Sequence, residues 1–224
     1  KTNKLNNQIA NVIKNYNQDL EIELNEVKII LNPLKFEINA KTVGSKFKIK
    51  EKIIEFESIK TQISINSLIN NDFSLKNLEI STRSLKIENL IAFARNVKNS
   101  PELYLLGKVL KKGYLISDIN LEFDNQGKIK KNYKIKGFVQ DAQITLLKKY
   151  DLNKINLIFN LAHNTTELKN INLLLNNTPL LSEKIIVKNL NNNFLIEGLV
   201  ENKNTSLENQ IINNFINVYL SKLD

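Results

Sequence analysis

Asp19-Leu20-Glu21-Ile22-Glu23-Leu24-Asn25-Glu26-Val27-Lys28-Ile29-Ile30-Leu31-Asn32-Pro33-Leu34-Lys35-Phe36-Glu37-Ile38-Asn39-Ala40 is the stretch whose rhythm decides the fold. Leu20, Ile22 and Leu24 alternate with carboxylates, and a period of two sends successive side chains to opposite faces of a strand. The apolar parity then moves to Val27, Ile29 and Leu31, which marks a bulge or turn at Asn25-Glu26. Beyond Asn32-Pro33 the alternation resumes through Leu34, Phe36, Ile38 and Ala40.

The same period runs toward the C-terminus. Ile54 and Phe56 lead to Ile63 and Ile65, and Asn70-Asn71-Asp72 reads as a turn before Phe73 and Leu75, Leu78 and Ile80, Leu85 and Ile87. After residue 112 it returns in Ile119, Leu121 and Phe123, with a turn at Asp124-Asn125-Gln126-Gly127, then in Tyr133, Ile135 and Val139, in Ile144 and Leu146, and in Ile155, Leu157, Phe159 and Leu161. Leu168, Ile171, Leu173 and Leu175 come next, a break at Thr178-Pro179 precedes Ile185 and Val187, and Phe194 and Ile196 close the series. Apolar pairs separated by charged or amide residues describe a sheet with one buried and one wet face.

Three segments follow another period. Leu5, Ile9, Val12, Ile13 and Tyr16 form one stripe of an N-terminal amphipathic helix, residues 1–18. Leu90, Phe93, Ala94 and Val97 sit at helical spacing, and Ser100-Pro101-Glu102 opens a second helix that Gly113 is expected to stop. Thr205 and Glu208 have capping-box spacing ahead of Leu207, Ile211, Phe215 and Tyr219, a C-terminal amphipathic helix over 204–224. The expected order is therefore a helix, a first β block (19–88), a helical insert (89–112), a second β block (113–203) and a helix. The fold class is mainly β: a long curved antiparallel sheet, as a groove or a partly open sandwich.

Composition narrows the function. Cysteine is absent, which removes disulfide scaffolds, thiol chemistry and the usual structural zinc. The one histidine, His163, lies in a polar stretch that reads as a hairpin turn, so neither a catalytic triad nor a histidine-rich metal site is expected. Gly107 and Gly113 miss the phosphate-loop spacing, and Glu21 and Glu23 face outward from a strand rather than into a shaped cleft. No catalytic residue, metal ligand or cofactor is assigned, and the chain is expected not to be an enzyme. The net charge of +9 suits an anionic partner, yet only Arg83 and Arg95 are arginines and the lysines fall on strand faces throughout. Nucleic acid is therefore not an expected partner. No run of 18 apolar residues occurs; with Lys1 first and methionine absent, the chain is expected to be cut from a longer protein whose anchor precedes residue 1.

Residues 3–95 resemble the start of the AsmA-like family of bacterial envelope proteins (the AsmA, TamB and YhdP type). The resemblance is carried by the amphipathic helix Asn3 to Tyr16 ahead of Asp19 to Leu24, by Val27 to Ile38 as strand, Pro-containing turn and strand, and by Ile59-Lys60-Thr61-Gln62-Ile63-Ser64-Ile65-Asn66-Ser67-Leu68 leading into Phe73 to Ile80. Residues 113–200 resemble the repetitive β segments that follow in that family. The resemblance implies a periplasmic protein anchored in the inner membrane, working in outer-membrane biogenesis and handling phospholipid. It also implies partners of three kinds: a phospholipid or other acyl-chain lipid, the membrane, and other envelope proteins.

The residues themselves fit such a role. Three short helices are too few to roof about twelve strands, so the sheet either closes on itself as a sandwich or presents an apolar trough. The candidate lipid-binding residues are Ile29, Leu31, Phe36, Ile38, Ile63, Ile65, Phe73, Leu75, Leu121, Phe123, Ile144, Leu146, Leu157, Phe159, Leu173 and Leu175. A sealed β scaffold that binds other envelope proteins through its edges or loops is the alternative.

Overall fold

The computed structural model describes residues 18–65, 75–97, 100–124, 128–146, 150–190 and 193–202. The expected terminal helices, the turns at Asn70-Asn71-Asp72 and Asn125-Gln126-Gly127, and Phe73 lie outside these residues.

Alternating residues become strands, and the strands join one 13-stranded antiparallel sheet. The first part contains β1 (Leu20–Glu23), β2 (Val27–Asn32), β3 (Glu37–Val43), β4 (Lys46–Ile49), β5 (Lys52–Ser64), β6 (Leu75–Thr82) and β7 (Leu85–Lys86). Two helices follow, α1 (Ile87–Val97) and α2 (Pro101–Val109). The second part is a meander of long strands: β8 (Leu110–Glu122), β9 (Lys134–Leu146), β10 (Tyr150–Ala162), β11 (Thr165–Leu175), β12 (Thr178–Leu190) and the short β13 (Asn193–Gly198). Pairing of β6 with β8, Ile80 opposite Ile119, makes the two β blocks one continuous sheet. Long β5 is shared on its other side: its first residues pair with β4, which carries β1, and its last with β3, which carries β2.

The layer is single. Among the described elements, every extensive strand–strand contact is between hydrogen-bonded neighbours. The only elements outside the sheet among the described residues are the two helices, and α1 lies against β8, β5, β7 and β4. Ile87 and Ile91 of α1 meet Ala142 and Ile155 in a small core completed by Leu110, Leu115, Val139, Ile144, Leu152, Leu157 and Leu173. Ser100 caps α2 by accepting a hydrogen bond from the Leu103 N–H at 3.3 Å, with Pro101 in the first turn.

Two local expectations change. Gly113 does not stop the second helix. That helix ends at Val109, and Gly113 lies inside β8 at φ +135, where an added Cβ would sit 2.7 Å from Ala142 Cα. The break near Thr178-Pro179 is instead a turn at Asn176-Asn177, both at positive φ, while Thr178 and Pro179 already belong to β12.

Gly113 opens a line of bulges. Positive φ recurs at Asp141 in β9, Lys154 in β10 and Asn170 in β11. The pairing registers slip beside them, between Leu110 and Tyr114, between Leu152 and Leu157, and between Asn153 and Ile158. Each bulge moves the apolar parity by one residue, so Val139 is followed on its face by Ala142, and Leu168 by Ile171. This keeps the apolar side toward α1 in the upper half of each long strand.

The opposite face is mostly polar, apart from the cross-strand partners Ile116, Phe138 and Ile158. It is knitted by ion pairs across neighbouring strands: Lys60 with Glu79 at 3.6 Å, Lys136 with Asp118 at 3.9 Å, and Lys188 with Glu197 at 2.9 Å. Glu167 bridges two lysines, Lys184 at 2.6 Å and Lys169 at 3.0 Å. The hydrogen bond from Lys184, then that from Lys169, holds its carboxyl below the ordinary glutamate value.

Two outcomes follow from this packing. Gly113→Ala forces a side chain both onto a left-handed backbone and into Ala142, and should cost about 2–3 kcal/mol in urea unfolding without changing the slope. Glu167 has a lowered folded-state pKa, so its contribution is fully present above the unfolded value and is lost as pH falls through the folded one. Glu167→Gln should therefore melt below wild type at pH 7, and the two melting temperatures should converge below about pH 4.

Candidate functional site: an apolar sheet face

Cross-strand pairing decides which side chains stand together, because directly opposed residues share a face. One line of partners crosses ten strands: Val27, Thr42, Ile59, Ile80, Ile119, Ile135, Leu161, Thr166, Val187 and Ile196, from β2 through β3, β5, β6 and β8 to β13. Eight are aliphatic, and the two threonines each present a methyl group. At about 4.8 Å per strand the line is about 43 Å long.

Parallel lines flank it. Toward the β2–β3 turn, Ile29 opposes Ala40, Ala40 opposes Thr61, Thr61 opposes Leu78 and Leu78 opposes Leu121. Beyond them Leu31 opposes Ile38, Ile38 opposes Ile63 and Ile63 opposes Leu75. Toward α1, Ser117 opposes Gly137, Gly137 opposes Phe159 and Phe159 opposes Leu168. An added Cβ at Gly137 would sit 2.0 Å from the Ile116 carbonyl oxygen, so this position keeps the strands in close register.

Of the sixteen candidates, Ile29, Leu31, Ile38, Ile63, Leu75, Leu121, Leu157 and Phe159 fall on this face by register. Ile144, Leu157 and Leu173 pack on the α1 core, Leu175 opposes Leu152 in the adjoining line, and Leu146 opposes Tyr150 at the end of the β9–β10 pair. Phe123 forms an isolated bridge with Ile129 at the end of β8. Ile65 follows β5 and donates its N–H to the Phe36 carbonyl at 2.9 Å. Phe36 stands apart: it lies in the β2–β3 turn, 63% exposed, rather than on the floor of the face. None of the ten residues of the longest line, Ile59, Ile80, Ile119, Ile135 and Leu161 among them, is one of the sixteen candidates. The signal was present, since Ile119 lies two residues before Leu121 and Leu161 two after Phe159.

The face is graded along its strands. Under α1 it is sealed, with Ile49 at 0% and Ile54 at 3% exposure. The β2, β3 and β5 end of these lines is closed as well, with Val27 at 4%, Thr42 and Ala40 at 5% and Ile63 at 1%. The middle of the longest line is half-buried, and only its β13 end opens to solvent, with Ile196 at 67%. Polar groups here are few and satisfied: the Ser117 N–H donates to Thr82 Oγ1 at 2.8 Å, and Ser45 Oγ donates to Thr42 Oγ1 at 3.2 Å. Such a surface removes apolar groups from water without demanding matched polar atoms.

His163 lies in the β10–β11 turn, exposed and at φ +38, and its carbonyl accepts from the Tyr133 hydroxyl at 3.1 Å. Among the described residues no group of three acidic or histidine side chains could hold a metal ion, and no helix is long and apolar enough to cross a membrane. No protein-family model, curated protein or solved structure matches this chain.

Proposed function

We propose that this chain is a non-enzymatic module that binds or guides phospholipid acyl chains along the apolar face of its sheet. In this reading it is an AsmA-like periplasmic protein of outer-membrane biogenesis, held at the inner membrane by an anchor upstream of residue 1. The observation that supports it is the ten-strand apolar line on a sheet of one layer, roofed among the described residues only by α1 and α2 near one end. One acyl chain spans about half of a ~30 Å hydrocarbon core, so the line is long enough to seat a chain at several positions. Burial at about 0.8 kcal/mol per methylene gives a sixteen-carbon chain on the order of 10 kcal/mol before ordering costs. No position is preferred by a polar anchor, which suits movement along the face better than storage in a pocket.

The ion-paired polar face supports the exclusion of nucleic acid from the proposed partners. Its lysines already face carboxylates on neighbouring strands, which leaves a weaker field for a phosphate backbone.

A second reading, a scaffold that binds envelope proteins, is favoured by β13. Among the described residues it pairs only with β12, and Phe194 and Ile196 are 70% and 67% exposed. An open edge of this kind can accept a partner strand.

A fatty acid carrying a photoreactive diazirine separates the two. Irradiation of the full chain should label peptides containing Ile119, Ile135 and Leu161 and spare the neighbouring polar-face positions Lys136 and Asn160. Ile119→Asp should lower probe affinity at least tenfold, with retained β-sheet circular dichroism reporting that the chain still folds. Uniform labelling of both faces would remove the trough and leave the scaffold.

A further inference from the structure

The β2–β3 hairpin ends in Asn32-Pro33-Leu34-Lys35-Phe36, and its tip is built against the usual rules. A turn residue at positive φ is ordinarily glycine or asparagine, because a Cβ there crowds the backbone. Here the residue is Phe36 at φ +50, with its ring 63% exposed, so no packing compensates the strain. The backbone is held in place: the Lys35 N–H donates to Asn32 Oδ1 at 3.3 Å, and the Phe36 carbonyl accepts the Ile65 N–H at 2.9 Å. The turn thus fixes an aromatic ring in solvent. Leu34 beside it is 94% exposed, and Ile30 and Leu31 are 66% and 64% exposed.

The charge around the tip has one sign. Lys28, Lys35 and Lys41 are exposed, and none is within ion-pair distance of a carboxylate among the described residues. Lys28 and Lys41 are direct cross-strand partners, an arrangement that repels unless an anion lies near. The one carboxylate between Val27 and Val43, Glu37, is neutralised by Lys76 at 3.0 Å.

We propose that this hairpin tip docks on the surface of an anionic phospholipid bilayer, with Leu34 and Phe36 entering the boundary between headgroups and acyl chains. An interfacial element of this kind sinks about 5–10 Å. Lys28 and Lys41 lie about four to six residues behind the tip, about 13–20 Å at 3.3 Å per residue, which brings them within a Debye length of the phosphate plane. Lys35 sits at that plane. A protein partner fits less well. The cavity beside the hairpin, about 390 Å³ and lined by Lys28, Ile30, Lys41 and Glu79, lies behind the tip and includes neither Leu34 nor Phe36, and the three lysines surround a small apolar point rather than a broad patch. The other exposed apolar edge, at β13, carries the Lys188–Glu197 pair and no comparable excess of positive charge.

This docking goes beyond acyl-chain binding and does not depend on it. It would place the Leu31 and Ile38 end of the apolar face next to the bilayer, and α1 away from it.

Vesicle co-flotation of the full chain tests the proposal, with phosphatidylcholine alone and with phosphatidylcholine mixed with phosphatidylglycerol. Wild type should float with the mixed vesicles at low salt and lose binding as salt rises. Leu34→Asn with Phe36→Asn should reduce partitioning by roughly tenfold or more. Because asparagine accepts positive φ, Phe36→Asn alone should melt at or above wild type, so lost binding cannot be lost folding. Lys28→Gln and Lys41→Gln should each lower the preference for anionic vesicles by about fivefold. Binding of the monomeric photoreactive fatty acid, measured without vesicles, should be unchanged in the tip variant. Wild type that ignores anionic vesicles at low salt, or a Leu34→Asn/Phe36→Asn chain that floats as well as wild type, overturns the docking. Vesicle binding without probe binding overturns the trough alone.

Discussion

A sheet of one layer meets all of its backbone hydrogen-bonding needs within its own plane and none of its hydrophobic ones. The ladder from β2 and β1 to β13 pairs N–H and C=O groups strand by strand, which makes the architecture extendable. Each strand then adds aliphatic side chains to a face that, among the described residues, no second sheet covers. In-plane neighbours give part of the burial: a residue such as Ile119 is flanked by Ile80 and Ile135 directly opposite. That flanking leaves it half-buried rather than enclosed. The fold is therefore stabilised by side-by-side contacts while keeping apolar surface for something else.

The line of bulges reconciles this with the helical insert. Strands of 13 residues with strict alternation would twist away from a short helix after a few residues. One extra residue in successive strands, at Gly113, Asp141 and Lys154, bends the sheet and resets its parity. Ala142 and Ile155 follow two of these bulges directly, and they are the residues that Ile87 and Ile91 rest on. The Asn156 side chain ties the second and third bulges together, accepting from the Asp141 N–H at 3.1 Å and donating to the Lys154 carbonyl at 2.8 Å. The helix and the bulges thus depend on one another, and the sealed end of the apolar face is their joint product.

This explains what could be read from the chain without its structure. The alternation of Ile119, Leu121 and Phe123 gives strand and face together, because nothing interrupts the period there. Val139 and Ile144 look like members of separate short strands, since they lie five positions apart, an odd step that a strict alternation would put on opposite faces. They belong to one strand whose parity is reset at Asp141. Helix limits were legible at Ser100-Pro101, where capping chemistry is local, and not at Gly113, whose role depends on Ala142 in a strand far along the chain. Phe36 was misplaced for a similar reason. By parity it continues toward Ile38, but its left-handed backbone rotates the ring off the sheet face and out of the tip.

The two faces also divide the charge. On the polar side, carboxylates of one strand sit beside lysines of the next, so most of the positive charge there is answered locally and adds little field at a distance. The β2–β3 hairpin departs from that scheme, since its lysines face one another or solvent and its only carboxylate is turned to Lys76. A uniform basic surface would attract any polyanion equally. One that is neutralised along its length and positive at a single apolar point orients the molecule instead, presenting one end of the sheet to an anionic surface. Orientation is what a face without a polar anchor lacks on its own. A trough binds acyl chains anywhere along its length, and only a fixed end gives movement along it a direction.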